Sequence, residues 1–164
     1  EKSPMMAFLS ALSSYRVMIP VCILILFWIL FKGENKMLEI RFFIILTIGS
    51  EFLEESLRRL FHLLNPASSI GLSFPSEQSF LAIIVYGFAA YIVYRHIKAK
   101  WLGVLAIISS LAICLSTGIG IIYLGLQKPS DIVAGYAFGS FILCIIIILI
   151  EIYRILLLIK NKNS

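Results

Sequence analysis

Long apolar runs separated by short polar breaks dominate this chain. "VMIPVCILILFWILF" starts at Val17 and "FILCIIIILI" at Phe141. Runs approaching about 20 apolar residues predict helices that cross a bilayer. The pattern predicts five of them, over 15–31, from near 40 to 61, and over 76–96, 100–122 and 130–159. Pro20 falls in the opening turns of the first, and the second turns polar towards Phe61. The segment "EKSPMMAFLSALSSY" has no basic stretch followed by an apolar core, so it is not a signal peptide. It is partly apolar and is expected to lie along the membrane surface. No interior stretch reads as a linker and no repeat is visible. The expectation is one all-α membrane domain over 1–164, a polytopic bundle of five spans plus a short interfacial segment.

Composition strengthens this reading. The chain is 60% hydrophobic and 14% charged, with a mean hydropathy of +1.00. A soluble domain is nearer half apolar and a quarter charged. The net charge of +5 does not indicate nucleic acid, because the basic residues cluster beside apolar runs. That placement suits topology and anionic lipid. One face holds Lys32, Lys36, Arg41, Arg95, Lys98, Lys100, Arg154, Lys160 and Lys162, nine in all, against five on the other: Lys2, Arg16, Arg58, Arg59 and Lys128. The first face, with the C-terminus, is therefore expected in the cytoplasm. The loops 63–75 and 123–130 then lie outside, as does the N-terminus, which a preceding helix absent from this chain would explain. Low Ala with abundant Ile, Lys and Asn suggests an AT-rich bacterial genome, hence a bacterial cytoplasmic membrane. Cys22, Cys114 and Cys144 sit inside apolar runs without paired or metal-ligand spacing, and read as helix-packing residues. No metal or cofactor is expected.

Several polar groups interrupt the apolar pattern. In "SEFLEESLRRLFHLLNP" the pairs Glu54–Arg58 and Glu55–Arg59 have the favourable i,i+4 order. Glu51 and Glu55 are also one turn apart. Five charges at a membrane helix end are costly unless paired or wetted. They describe either a self-neutralised helix end or a polar pocket with an Arg aimed into it. "FPSEQS" and "KPSDIV" each place Pro, Ser and an acid ahead of an apolar helix. The Ser can cap free backbone N–H groups and the acid suits the helix dipole. Two such N-termini on the face that carries Arg58 could also receive an anion.

These residues and spacings resemble the type-2 phosphatidic acid phosphatases, a family that includes bacterial polyprenyl diphosphate phosphatases. Its motifs are Lys-x6-Arg-Pro, Pro-Ser-Gly-His and Ser-Arg-x5-His-x3-Asp. They align with Arg58 and Asn65-Pro66, with Pro75-Ser76-Glu77-Gln78, and with Gly120-Ile121, Gln127 and Asp131. The context "YLGLQKPSDIVAGYAFG" is also similar, and the family's six-span form would supply a first helix lacking here. The resemblance implies a phosphate pocket formed by Arg58, Asn65, Ser76, Glu77 and Ile121, with Gln78, Gln127 and Asp131 at the catalytic positions. Gln127 stands where the family has the attacking His and Gln78 where it has the His that protonates the leaving oxygen. Asn65 and Ile121 replace arginines, and Glu77 replaces a glycine.

A carboxamide is not a nucleophile at neutral pH, and it has no proton to donate there. Loss of general acid catalysis alone costs on the order of 10²–10⁴ in rate. His62 is the one imidazole on the pocket face, and His96 lies at the far end. The glutamines, Asn65 and Glu77 could instead bond to one another and to Arg58 as a polar plug. The expected function is a catalytically degenerate lipid-phosphatase-like protein that binds a phosphorylated lipid head group, or another membrane protein or its own copy. The alternatives are an active lipid phosphate phosphatase with altered chemistry and a lipid or solute transporter.

Overall fold

The computed structural model describes residues 4–32, 36–64 and 74–162, apart from the side chains of residues 6, 7, 161 and 162. Within them the chain forms α1 (Pro4–Ala11), α2 (Tyr15–Lys32), α3 (Lys36–Leu64), α4 (Glu77–His96), α5 (Lys100–Tyr123) and α6 (Pro129–Lys162). No strand occurs among the described residues.

Four helices, α2, α4, α5 and α6, are long and apolar enough to cross a membrane. α3 has the length, 29 residues, but too many charges to belong to that set. It also begins at Lys36 rather than near Ile40, and its first turn carries Glu39, which is fully buried.

α4 is the central helix. Of its most apolar stretch 56% is buried, against 17% for α2 and for α6. Phe80, Ile84, Phe88 and Ile92 of α4 are all but inaccessible, and the Phe88 ring stacks on Phe43 of α3 at 5.1 Å. The surrounding helices turn large side chains such as Phe27, Ile108 and Ile148 outward. That surface would drive aggregation in water but is solvated by lipid tails.

Lipid tails are as apolar as leucine, so helix association in a bilayer relies on close packing and interhelical hydrogen bonds. α6 achieves close packing through Gly135 and Gly139, a Gly-x3-Gly pair. A Cβ on Gly135 would stand 2.6 Å from the Ser76 carbonyl oxygen, and one on Gly139 would stand 2.9 Å from that of Phe80. The two glycines therefore let the α6 backbone rest on the first turns of α4. Tyr136, between them, donates its hydroxyl hydrogen to the Cys114 carbonyl of α5. The N-terminal segment is held to the bundle. α1 packs against α5, and the Tyr86 hydroxyl donates to the Leu12 carbonyl at 2.7 Å.

α3 runs antiparallel to α4 along its whole length. At one end Glu39 meets His96, the last residue of α4, at 3.0 Å. At the other end Arg58 meets Glu77, the first residue of α4, at 3.2 Å. The rise from Glu39 to Arg58 is about 28 Å at 1.5 Å per residue, close to the length of α4 itself.

The Glu39 end holds a buried polar cluster. Arg154 of α6, also buried, donates from Nη2 to Glu39 Oε1 at 2.7 Å. Its Nη1 reaches Glu151 at 3.4 Å, and Glu151 accepts from the Tyr91 hydroxyl at 2.6 Å. A buried carboxylate costs several kcal/mol unless paired and hydrogen-bonded. The pairing with Arg154 and His96 is what permits Glu39 to be there. Arg154 and His96, which in the sequence look like charges at an interface, are thus a tie between α3, α4 and α6.

Candidate functional site

The site lies at the opposite end, where α3 finishes and α4 and α6 begin. Each terminus is shaped by its own sequence. Ser76 has extended backbone angles, and its Oγ accepts from Ser79 N–H at 3.3 Å. It is the N-cap of α4, as the Pro-Ser-acid pattern predicts. Glu77 then occupies the first turn, where a negative charge suits the helix dipole. Pro129 opens α6, where its missing N–H costs nothing. Asp131, two residues on, is buried and accepts from the Ser130 hydroxyl at 3.1 Å.

α5 ends in a Schellman motif. The Leu126 N–H reaches the Ile121 carbonyl at 3.1 Å and the Gly125 N–H reaches that of Ile122 at 2.9 Å. Gly125 sits at φ 67°, a conformation open to glycine at little cost. The motif turns the chain so that Gln127 falls between α5 and α6. The two helix starts are then joined through backbone, Ser76 N–H donating to the Asp131 carbonyl at 2.9 Å. This bond and the Gly135 contact fix the second and third motifs against each other.

Arg58 completes the convergence from α3. Its Nε and Nη2 donate to Glu54 Oε1 at 3.1 and 2.6 Å, and Nη2 also reaches Glu77 Oε2 at 3.2 Å. The predicted Glu54–Arg58 pair is present, with Glu54 buried, and so is Glu55–Arg59 at 3.0 Å on the exposed face. Beside Arg58 lies a small pocket of about 180 Å³ lined by Tyr15, Glu51, Glu54, Glu55, Glu77 and Leu81. Four carboxylates therefore surround this cavity, and the nearby guanidinium is already claimed by two of them.

The structure thus brings Arg58, Ser76, Glu77 and Asp131 together. The remaining predicted residues behave differently. Ile121 is fully buried in α5 and Ser76 is equally inaccessible, its hydroxyl engaged with Ser79. Asn65 and Pro66 lie outside the described residues. Gln78 and Gln127 are half-buried and flank the Ser76–Asp131 joint, but neither lines the acidic pocket. Gln127 Oε1 is buried with no hydrogen-bond partner among the described residues. Among the described residues the part of the polar plug that is present is Glu54–Arg58–Glu77. Gln78 is carried by the first turn of α4 and Gln127 by the turn that precedes α6, and the contact between the two helix starts is made by backbone. His62 is exposed in the last turn of α3, at the rim of this end.

Sequence reasoning counted Glu51 among the charges of a possible polar pocket but did not place Tyr15 in its wall. Glu51 and Glu55 share a helix face with the pairs already noted, which was a usable signal. Tyr15 carries none, since only the packing of α2 brings it there. Among the described residues no group of His, Cys, Asp and Glu has the arrangement of a metal site.

A search among curated proteins yields no match. Among solved structures, the fold is similar to that of a transmembrane PAP2-type phosphatidylglycerolphosphate phosphatase from Bacillus subtilis. The TM-score is 0.69 and the identity 20%, over 89% of this chain and 75% of that one. The likeness is one of fold, a helical membrane bundle. A profile of the PAP2 superfamily matches residues 14–154, nearly the whole described bundle, and the chain belongs to the PAP2 superfamily.

Proposed function

We propose that this protein is a membrane-embedded PAP2 relative that binds a lipid head group or a protein partner without hydrolysing phosphate. One observation carries the reading. Arg58, at the position the resemblance gives to phosphate binding, is held by Glu54 and Glu77 at 2.6 and 3.2 Å. A phosphate entering here would have to displace two carboxylates and would meet Glu51 and Glu55 as well. Like charges at such range oppose binding, and a charge-assisted pair is not given up cheaply. The amide groups of Gln78 and Gln127 at the imidazole positions support the same conclusion, since neither can form a phosphoryl-enzyme or protonate a leaving group.

α3 is the fifth crossing in this reading. It follows α4 from end to end, and the roughly 28 Å between Glu39 and Arg58 matches a hydrocarbon thickness of about 30 Å. Its charges are tolerated because they sit at the two ends and are paired. The end rich in Lys and Arg then faces the cytoplasm, with the acidic pocket on the outer side.

The test is phosphate release by purified protein in mixed micelles, with phosphatidylglycerolphosphate, phosphatidic acid and a polyprenyl diphosphate as substrates. No release above a protein-free control is expected. Turnover that disappears in Asp131→Asn or Arg58→Ala would overturn the proposal. A second reading, an active phosphatase with a relocated base, has one supporting observation: His62 lies one turn beyond Arg58 on α3. Activity lost in His62→Ala would favour it.

A further inference from the structure

The opposite end of the bundle carries a second feature. Between α3 and α6 runs a groove of about 600 Å³, against 180 Å³ for the acidic pocket. Lys36 and Arg41 stand at it, with Phe42, Ile45, Tyr153 and Leu157 forming much of the wall. Among the described residues neither cation has an ion-pair partner, whereas Arg58, Arg59, Arg95 and Arg154 each have one. Phe42 and Tyr153 meet edge to face at 6.4 Å across the groove. Immediately behind it, the buried Glu39–Arg154 bond at 2.7 Å clamps α3 to α6. The spacing of the walls is therefore set before anything enters.

From this we infer that the groove binds one anionic phospholipid, at the membrane face opposite the acidic pocket and independently of any hydrolysis. The chemistry matches part by part. Lys36 opens α3 and Arg41 lies little more than a turn further, so both cations sit at the helix end where a phosphodiester would lie. Tyr153 is an amphipathic ring suited to head-group depth. Ile45 and Leu157 continue the wall as apolar surface for an acyl chain. Juxtamembrane cations attract anionic lipid, whereas a zwitterionic head group carries its own compensating charge. The two ends of the molecule thus differ in sign: one groove offers free cations, and the other pocket offers carboxylates.

The experiment uses the full chain in nanodiscs of equal phosphatidylglycerol and phosphatidylcholine, with native mass spectrometry of the lipids retained on release. One phosphatidylglycerol per chain is expected to persist preferentially. The exposed double variant Lys36→Gln/Arg41→Gln should lower that retention about 30-fold, at roughly fivefold per cation. The charge-preserving exchange Lys36→Arg/Arg41→Lys should keep it. Lys98→Gln/Lys100→Gln, which removes the same charge outside the groove, should leave it nearly unchanged. Equal retention of both lipids in the wild type would overturn the proposal. So would equal loss in the two glutamine variants, which would mean diffuse attraction to a basic rim and no site.

Discussion

Arg154→Met probes the tie that sets the bundle's geometry. Met has a comparable length and no charge, so the change removes an interaction more than it removes volume. In the structure Arg154 donates to Glu39 at 2.7 Å and to Glu151 at 3.4 Å, and its side chain is 5% exposed. Without it Glu39, fully buried, retains only His96, and its second carboxylate oxygen already lacks a partner among the described residues. Stranding one member of a buried pair costs about 3–5 kcal/mol. The remaining imidazole places the expectation at the lower end, about 3 kcal/mol, or roughly two orders of magnitude in the folding equilibrium. Reversible unfolding by dodecyl sulfate in mixed micelles, followed by far-ultraviolet circular dichroism, measures this. The double variant Glu39→Gln/Arg154→Met discriminates. It removes both charges while the amide introduced in place of Glu39 can still bond to His96, so it should recover to within about 1.5 kcal/mol of the wild type. If Arg154→Met is neutral, or if the double variant is less stable than the single one, Glu39 is not the buried anion described.

Three further outcomes follow from the other end of the molecule. Gly135→Ala places a Cβ 2.6 Å from the Ser76 carbonyl and 3.1 Å from Ser79 Cβ. Overpacking of about 1–3 kcal/mol should outweigh the gain of up to about 1 kcal/mol in helix propensity, and the same titration should show net destabilisation. Glu77→Gln removes one of the two carboxylates on Arg58, and isothermal titration with inorganic phosphate should show affinity rising about tenfold over the wild type. Arg59→Ala breaks a pair whose side chains are 75% and 50% exposed, and it should change stability by less than about 0.5 kcal/mol.

How much of this was legible beforehand varies by element. α2, α5 and α6 were visible as apolar runs, and the α4 start was visible as Pro75-Ser76-Glu77, because capping chemistry is local. The central position of α4 was not visible. A helix apolar all round can face lipid or protein equally well, so its hydropathy does not say which. The clue was on α6, where Gly135 and Gly139 mark the face that approaches another backbone. Arg58 was correctly placed with Glu54, because an i,i+4 pair lies within one helix. Its second partner, Glu77, lies 19 residues away across a loop; the motif alignment offered it as one of several partners for Arg58, and only the tertiary fold singles it out. The Glu39–His96–Arg154 cluster was the least legible. His96 and Arg154 lie 57 and 115 residues from Glu39, and each alone looks like an interfacial charge. Ile121 shows the limit of motif alignment: the resemblance gives it the position of a phosphate-binding arginine, yet it is fully buried in α5.

The central claim is that this pocket cannot form a phosphoryl-enzyme. The direct measurement is a rapid alkaline quench of the protein incubated with phosphorus-labelled lipid phosphate, followed by a search for phosphohistidine. The wild type should carry no covalent label. A Gln78→His/Gln127→His variant that also carries Glu77→Gly, which removes one of the two carboxylates on Arg58, should acquire label at position 127. Label bound covalently to the unaltered chain would contradict the account outright.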